Sequence, residues 1–302
     1  MRLSKKNALL GGGAKGMGAA ITMTLAREGA DVFLAARDIA ALDAVADRVR
    51  AGGRRAATCS CDVLDENAVE RMVATALGFF EGPIDILVNI VGITGPIETP
   101  VQDIEAEAFN AVLQTNVSGL FLPIKHVLPG MIARRSGKIV SIGGAAGLRG
   151  YKNRAAYSAS KWGIRGLTRT VALEVGKHNI NVNTVCPGIV RSPRLEKLCR
   201  EKARVRGWTY EQVEEEYLRD MALHRFTEPE DVANAVYLLC LPEAAISQAR
   251  NWPLTAAGTS SPPGRSRPRR SCAARRGRPG APSGWPCRAV PPRCRRSASE
   301  RI

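Results

Sequence analysis

Short apolar runs alternate with amphipathic stretches along most of this chain. The apolar runs predict β-strands at residues 7–10, 31–36, 84–91, 138–142 and 181–185. Helical spacing follows the first strand at residues 17–28, and Gly29 fits the end of that helix. Because strands alternate with helices, we predict an α/β fold: a Rossmann-type doubly wound parallel sheet in a single domain, with helices on both faces.

Two further helical stretches, residues 194–206 and 211–223, surround Gly207. The first is basic and the second is acidic. We therefore predict a helical insertion at 191–226, within a domain spanning residues 1–246. Its two halves are expected to pair with each other and to face water. The alternative hypothesis is that the basic half attracts an anionic substrate.

A glycine-rich turn, Gly11-Gly-Gly-Ala-Lys-Gly-Met-Gly18, connects the first strand to the first helix. Bare backbone amides in such a turn can approach a pyrophosphate, and the helix N-terminus favours its negative charge. The strand–glycine–helix–strand order therefore predicts a dinucleotide site.

The end of the second strand bears on the choice of cofactor. An acid there binds a free ribose hydroxyl and repels a 2′-phosphate. This chain has Ala36 and Arg37 at that point, and Lys15 lies in the glycine loop. We predict NADP, with NAD as the second choice because Asp38 lies next to Arg37.

Tyr157 and Lys161, in Tyr157-Ser-Ala-Ser-Lys161, are one helical turn apart and share a face of the predicted helix. A phenol with a pKa near 10 transfers protons at neutral pH only if its anion is favoured. The Lys161 ammonium is predicted to lower the pKa of Tyr157. An exposed helix pair without a catalytic role is the alternative.

The ordered motifs resemble the short-chain dehydrogenase/reductase family over residues 5–246. The resemblance implies hydride transfer between a nicotinamide cofactor and a carbonyl or alcohol carbon, and a homodimer or homotetramer. It also implies that the helical insertion at 191–226 is a lid that covers the substrate site. It implies that Tyr157 exchanges the proton, that Lys161 binds the ribose and that Asn116 holds a relay water. The implied cofactor-binding residues are Gly12, Lys15, Gly16, Met17, Gly18, Arg37, Asp62, Val63, Asn89, Gly92, Tyr157, Lys161, Pro187, Gly188, Ile189 and Ser192.

One position departs from the family pattern. Gly144 stands where the family has its catalytic serine, so a donor to the substrate oxygen is missing. Losing one such donor can cost on the order of 10²–10³ in rate. A replacement donor is expected from the loop that holds Tyr151, Lys152, Asn153 and Arg154, or the glycines leave room for a polar group of the substrate.

We therefore predict an NADP(H)-dependent oxidoreductase acting on a small alcohol or ketone. A cofactor-binding protein with weak or lost catalysis is the alternative, motivated by Gly144. The eight cysteines contain no CxxC pair and the three histidines are scattered, so we expect free thiols, no metal site and a cytoplasmic location. No apolar stretch is long enough to span a bilayer, and no membrane role is expected.

The net charge of +16 is concentrated at the end of the chain. Residues 247–302 contain thirteen arginines, no lysine and one acid, which gives +12 of the total. An arginine-rich tail of this kind raises a remote alternative, a nucleic-acid-associated protein. Its Pro, Gly and Ala content predicts a disordered segment instead.

The composition of this tail is typical of GC-rich coding DNA read out of frame. In a shifted frame, the codons from Ile246 onward permit Ile-Thr-Gly-x-x-Leu-Ala-Val-Asp-Gly-Gly, which resembles the family's last strand. We hypothesise a frameshift near residues 241–246, and we predict that the chain as written lacks that strand.

Overall fold

The computed structural model describes residues 1–219, 221 and 223–254. Within them, one sheet is formed by seven strands, in chain order β1 (Asn7–Gly11), β2 (Asp31–Ala36), β3 (Ala56–Ser60), β4 (Ile86–Asn89), β5 (Gly137–Ile142), β6 (Ile180–Pro187) and β7 (Asn251–Leu254). The helices of the same residues are α1 (Met17–Arg27), α2 (Ile39–Ala51), α3 (Glu66–Phe80), α4 (Ala106–Leu113), α5 (Gly119–Arg134), α6 (Ala155–Val175), α7 (Pro193–Arg206), α8 (Tyr210–Arg219) and α9 (Pro229–Cys240).

The strand order is β3-β2-β1-β4-β5-β6-β7, and all pairs are parallel. This order confirms the predicted doubly wound sheet. The chain reverses its direction of winding between β1 and β4, and ligands of such sheets bind at the carboxyl ends of the strands beside that point.

Both faces of the sheet are buried, which explains the continuous apolar runs in the sequence. Leu10, Leu34 and Val88 face one cluster with α1 and α9, whereas Leu9 and Leu87 face a second cluster with α3 and α5. Side chains alternate between the two faces because successive residues of a strand point in opposite directions. No helix among the described residues is long and apolar enough to cross a membrane.

The prediction that the last strand is absent was wrong. Residues 251–254 pair with β6, from Thr184 opposite Asn251 to Pro187 opposite Leu254. Strand pairing uses backbone groups, so an unusual sequence can still form it. The Pro253 nitrogen, which cannot donate, points away from β6, because the carbonyls of Arg250 and Leu254 are those that accept from the β6 side.

Gln248 fixes this segment to the sheet just before β7 begins. Its Oε1 accepts from the Val182 amide at 2.8 Å, and its Nε2 donates to the carbonyls of Ala172 (2.8 Å) and Ile180 (3.0 Å). The fold thus extends past the predicted domain end at residue 246. The rest of the arginine-rich tail, residues 255–302, lies outside the described residues.

Candidate active site

The glycine loop forms a tight turn at the carboxyl end of β1. Gly12 has φ +97°, and a Cβ on Gly18 would lie 2.2 Å from the Gly12 carbonyl oxygen, so a larger residue at position 18 would force the turn open. Gly16 precedes Met17, the first residue of α1, with open space beside it and no side chain capping the helix. The free amides at this helix start suit a phosphate anion.

Polar residues at the end of β2 lie beside the loop. Lys15 Nζ contacts Asp38 Oδ2 at 2.6 Å, and this hydrogen bond lowers the pKa of Asp38. Asp38 Oδ1 also caps α2 by accepting from the Ala41 amide at 3.1 Å. Arg37 is exposed, and among the described residues it forms no ion pair. One of the two predicted cations is therefore already paired, and Arg37 is the cation available to a 2′-phosphate.

Residues at the ends of β3 and β4 line the crevice next to the glycine loop. Asp62 is exposed and accepts from the Leu64 amide at 3.0 Å, while Val63 is buried against Gly119. Asn89 is buried, and within the described residues its side-chain Nδ2 has no hydrogen-bond partner. A buried unpaired donor beside the crevice fits a site that takes up a polar ligand. Together with the glycine loop, it fits a dinucleotide.

Asn116 lies in a five-residue π-helical segment, Gln114–Ser118, between α4 and α5. Its Oδ1 accepts from the Ile93 amide at 2.7 Å, and its Nδ2 donates to the Ile93 carbonyl (3.0 Å) and to Ser160 Oγ (2.9 Å). This fully buried side chain joins the loop after β4 to α6. The remaining lone pair of Oδ1 leaves capacity for the predicted water.

Tyr157 and Lys161 lie on α6 as the spacing predicted, with Lys161 Nζ 5.5 Å from the centroid of the Tyr157 ring. Lys161 Nζ also donates to the Ile142 carbonyl at 3.2 Å. Burial, with a smaller contribution from the charge of Arg194, lowers the pKa of Lys161 to about 8. The distance of 5.5 Å to the ring centroid places the Lys161 ammonium over one face of the Tyr157 ring.

The predicted direction of the pKa of Tyr157 was wrong for this structure. Burial raises that pKa, and the positive charges that oppose the rise belong to Arg194 and Arg154. The i,i+4 spacing identifies Lys161 as a neighbour, but it does not report how deeply both groups are buried.

Gly144, at the end of β5, faces the Tyr157 hydroxyl. A Cβ on Gly144 would lie 3.7 Å from Tyr157 Oη and 3.8 Å from Lys161 Cε, which is ordinary contact. Its φ of +157° lies at the edge of the region that L side chains rarely adopt. A side chain at this position would thus point at Tyr157 and Lys161, and the glycine leaves that direction open.

Two arginines lie near Tyr157, one from the loop predicted to supply a donor and one from the basic half of the helical insertion. Arg154 belongs to the loop predicted to supply a donor, and its guanidinium carbon lies 4.9 Å from the centroid of the Tyr157 ring. It precedes Tyr157 by three residues, so the helix-face argument could have identified it. Arg194 donates to the Gly92 carbonyl at 2.8 Å. No local signal in the sequence could have shown this contact across 102 residues.

The segment after β6 connects the sheet to the lid. Gly188 donates its amide to the Leu254 carbonyl at 3.0 Å, directly after Pro187 ends β6. Ile189 packs against the apolar cluster of α7 and α8, and Ser192 Oγ caps α7 by accepting from the Leu195 amide at 3.2 Å. These residues place α7 above the carboxyl end of the sheet.

The lid helices pair through their charges, as the sequence predicted. Lys202 Nζ contacts Glu216 Oε2 at 2.5 Å, and Arg206 contacts Glu216 Oε1 at 2.9 Å. Arg206 also contacts Glu98, in the loop after β4, at 2.8 Å. The lid is therefore tied to the loop that follows β4.

Comparison with known proteins places this geometry among oxidoreductases. The short chain dehydrogenase family model matches residues 6–203. The 3-oxoacyl-acyl-carrier-protein reductase of Thermotoga maritima is 34% identical over 245 residues, which are 81% of this chain and 94% of that protein. The trans-4-hydroxycyclohexanecarboxylate dehydrogenase of Sinomonas cyclohexanicum is 38% identical over 205 residues, covering 66% of this chain and 78% of that protein.

Solved structures agree with these relatives. A single-substitution variant of actinorhodin polyketide ketoreductase with NADPH superposes with a TM-score of 0.79 at 32% identity, covering 84% of this chain and 97% of that chain. An NAD+-bound xylitol dehydrogenase gives a TM-score of 0.82 at 30% identity, covering 85% of this chain and 100% of that chain.

Proposed function

This chain belongs to the short chain dehydrogenase family, and we propose that Tyr157, Lys161 and Asn116 carry its catalysis with NADP(H) as the preferred cofactor. The chain is an oxidoreductase that transfers a hydride between a nicotinamide cofactor, NADP or NAD, and a carbonyl or alcohol carbon of a small molecule. A nicotinamide cofactor, when bound at this crevice, would supply the hydride in reduction and accept it in oxidation.

The single observation that carries the catalytic roles is that the buried Lys161 ammonium lies 5.5 Å from the centroid of the half-buried Tyr157 ring, with Gly144 opposite the Tyr157 hydroxyl. Burial raises the pKa of Tyr157, so the phenol holds its proton at neutral pH and can give it to a carbonyl oxygen during reduction. The phenolate left behind is stabilised by the positive charges that surround it. In oxidation the Tyr157 phenolate takes the proton from the alcohol.

Asn116 and Lys161 act as supports for this transfer. The Asn116 amide holds the loop after β4 against α6, which fixes the position of the helix turn that carries both catalytic side chains. Lys161 lies between the Tyr157 ring and the Ile142 carbonyl, where its ammonium can also reach a ribose hydroxyl of the cofactor. The Asn116 water and the ribose contact follow the family pattern.

Arg37 supports the preference for NADP(H). It is exposed at the end of β2, where an acid would instead favour NAD(H). Lys15 adds a second cation, although its charge is shared with Asp38.

The names of the relatives suggest two substrate classes. The Thermotoga protein is named for a ketone on a carrier-bound acyl chain, and the Sinomonas protein for a cyclic secondary alcohol that carries a carboxylate. Both classes present a ketone or secondary alcohol to the catalytic pair. We assign this chain to small ketones and secondary alcohols of this kind.

Two wider properties belong to the same proposal. We expect a homodimer or homotetramer, which sedimentation of the purified chain would test. We also expect a cytoplasmic enzyme, since the described cysteines are free thiols.

The variant Tyr157→Phe tests the proposed function. It keeps the ring and removes the hydroxyl, so NADPH affinity should persist while the reduction rate on a ketone panel collapses. Tyr237→Phe is the matched control, because it removes a hydroxyl that donates to Glu28 on the far side of the sheet, at 3.1 Å. Retained activity in Tyr157→Phe would contradict the proposal.

A cofactor-binding protein with weak catalysis is the second candidate, and Gly144 is the observation that favours it. That candidate gains if the unaltered chain binds NADPH tightly but reduces no ketone of the panel. Gly144 removes a donor without disturbing the cofactor crevice, so binding and turnover can separate in this chain.

A further inference from the structure

Arg154 and Arg194, called here the arginine pair, both lie near Tyr157. Arg154 immediately precedes α6, stacks on the Tyr157 ring and donates to the Thr94 carbonyl at 3.3 Å. Arg194 lies in the first turn of α7 and reaches from the lid to the Gly92 carbonyl. The pair thus joins the lid, the loop after β4 and the start of α6 around one point.

The two guanidinium groups share their electrostatic environment with the catalytic residues. Both oppose the burial that raises the pKa of Tyr157, and the charge of Arg194 also lowers the pKa of Lys161 and of Arg154. Three positive groups therefore lie within interaction distance of one phenol. Like charges repel, so this arrangement is relieved when an anion binds among them.

Within residues 1–219, 221 and 223–254, neither arginine of the pair forms a salt bridge with a carboxylate. The nearby acid Glu98 is held by Arg206 through two contacts, at 2.8 and 2.9 Å. Burial lowers the pKa of Arg154, and its Nε is buried with no hydrogen-bond partner among those residues. Burying half of a guanidinium that has an unused donor costs free energy, unless a ligand anion accepts a hydrogen bond from that donor.

We propose that the arginine pair binds a carboxylate carried by the substrate, so that this enzyme acts on small oxo acids and hydroxy acids. This inference rests on the proposed function and narrows its substrate class. A planar guanidinium fork matches a carboxylate through two parallel hydrogen bonds. The carboxylate is unchanged by the reaction: the hydride passes between the nicotinamide and the carbinol carbon, and the proton passes to or from Tyr157.

Gly144 fits the same assignment. With no serine side chain in front of Tyr157, the open direction leaves space for a substrate, and the Arg154 guanidinium lies over the Tyr157 ring with donors for that substrate. A carboxylate held by the pair would orient the carbonyl toward Tyr157, and orientation replaces part of what the missing donor provides in related enzymes.

The first experiment compares two ketones that differ only in charge: 4-oxocyclohexanecarboxylate and its methyl ester. The unaltered chain should reduce the acid with at least about tenfold higher kcat/KM than the ester. In Arg154→Gln the acid-to-ester ratio should fall by about ten- to hundredfold, mainly through KM of the acid. Arg154→Lys should retain part of the preference, because the charge remains while the fork is lost.

Arg204→Gln is the matched control. It removes one charge from the same lid helix that carries Arg194, but its side chain is exposed and contacts Glu201. The ratio should be unchanged in this variant. An equal fall of the acid-to-ester ratio in Arg154→Gln and Arg204→Gln would show that long-range charge causes the effect, and this would overturn the inference. An unaltered chain that reduces the ester as well as the acid would also overturn it.

A binding measurement tests the arginine pair without turnover. Calorimetry with cyclohexanecarboxylate in the presence of NADP+ should show binding to the unaltered chain and to Tyr157→Phe, and loss of binding in Arg154→Gln. Binding that survives Arg154→Gln overturns the inference even if no ketone is reduced. Conversely, reduction of neutral ketones only, with no carboxylate binding, would leave the proposed function standing and reject the arginine pair.

The same variants show whether the anion that the arginine pair binds belongs to the substrate or to the cofactor. NADPH titration should give equal affinity for the unaltered chain, Arg154→Gln and Arg194→Gln. A loss of NADPH affinity of about tenfold or more in Arg194→Gln would show that this arginine binds a cofactor phosphate. The proposal that both arginines bind a substrate carboxylate would then be wrong.

Discussion

Gly144 is a single position whose replacement has a defined expected gain. In Gly144→Ser the new Cβ has room beside Tyr157 Oη, and the hydroxyl adds a donor for the substrate oxygen. Because one such donor is worth roughly 10²–10³ in rate and part of this is lost to the strained φ, we expect kcat to rise about tenfold. Steady-state reduction of a ketone that the unaltered chain accepts is the measurement. Gly144→Ala carries the same strain without the hydroxyl, and an equal gain in that variant would refute the explanation.

Arg37 is the residue on which the preference for NADP(H) is expected to depend. Arg37→Ala should weaken NADPH binding by about 1.5 kcal/mol, the lower end of a charge-assisted hydrogen bond, because the group is exposed and screened by salt. NADH affinity should change little. Fluorescence titration with both cofactors is the measurement. Arg48→Ala is the control, because Arg48 is an exposed arginine on the following helix, α2. Equal weakening of both cofactors would assign Arg37 a structural role instead.

At the residue scale, the sequence predicted which side chains are neighbours better than it predicted their protonation. The spacing of Tyr157 and Lys161 follows from helix geometry, which is local. The pKa of Tyr157 depends on its burial and on the charge of Arg194, which is far away along the chain. Nothing local in the sequence encodes such contacts.

At the scale of elements, apolar runs predicted the inner strands well because both faces of this sheet are buried. Gly207, with φ +66°, ends α7 where the sequence predicted a break. The last strand was missed because its side chains carry little apolar pattern: Trp252 is 39% exposed, and its backbone pairing leaves no sequence signature. Gln248, which holds the preceding turn, resembles any polar surface residue in the sequence.

The basic residues of α7, the first helix of the lid, have different partners. Lys202 and Arg206 of α7 meet Glu216 of α8, while Arg206 also meets Glu98 outside the lid. The basic character of α7 is thus largely used within the fold. Arg194, at the start of α7, instead donates to the Gly92 carbonyl, and its charge opposes the burial that raises the pKa of Tyr157 and adds to the burial that lowers the pKa of Lys161. The internally paired hairpin therefore describes Lys202 and Arg206, whereas the anion-attracting helix stays a prediction, which concerns Arg194.

At the scale of the whole molecule, the charge is divided unevenly. Residues 247–302 carry +12 of the +16, which leaves +4 on the residues that form most of the described fold. The nucleic-acid alternative rests on arginines that mostly lie outside the described residues. The oxidoreductase assignment depends on none of them.

The frameshift hypothesis makes a prediction about the stability of the entire fold. Replacing the residues from Ile246 onward with Ile-Thr-Gly-x-x-Leu-Ala-Val-Asp-Gly-Gly would exchange Asn251, Trp252, Pro253 and Leu254 for Leu-Ala-Val-Asp in β7. The new Leu and Val can each bury a side chain worth roughly 1.5–3 kcal/mol when fully covered, and less at a sheet edge. The present strand buries little, since Trp252 and Pro253 are exposed.

We therefore expect a net gain of about 2 kcal/mol in the free energy of unfolding, or a Tm higher by roughly 4–8 °C for a domain of this size. Thermal unfolding is the measurement. A chain ending at Leu254 is the control, because it removes the following residues and keeps the present β7. If the two chains melt together, the sequence of β7 has no influence on stability and the gain predicted from burial is wrong. If the restored chain melts higher, the sheet favours the strand of the shifted frame over the one that is written.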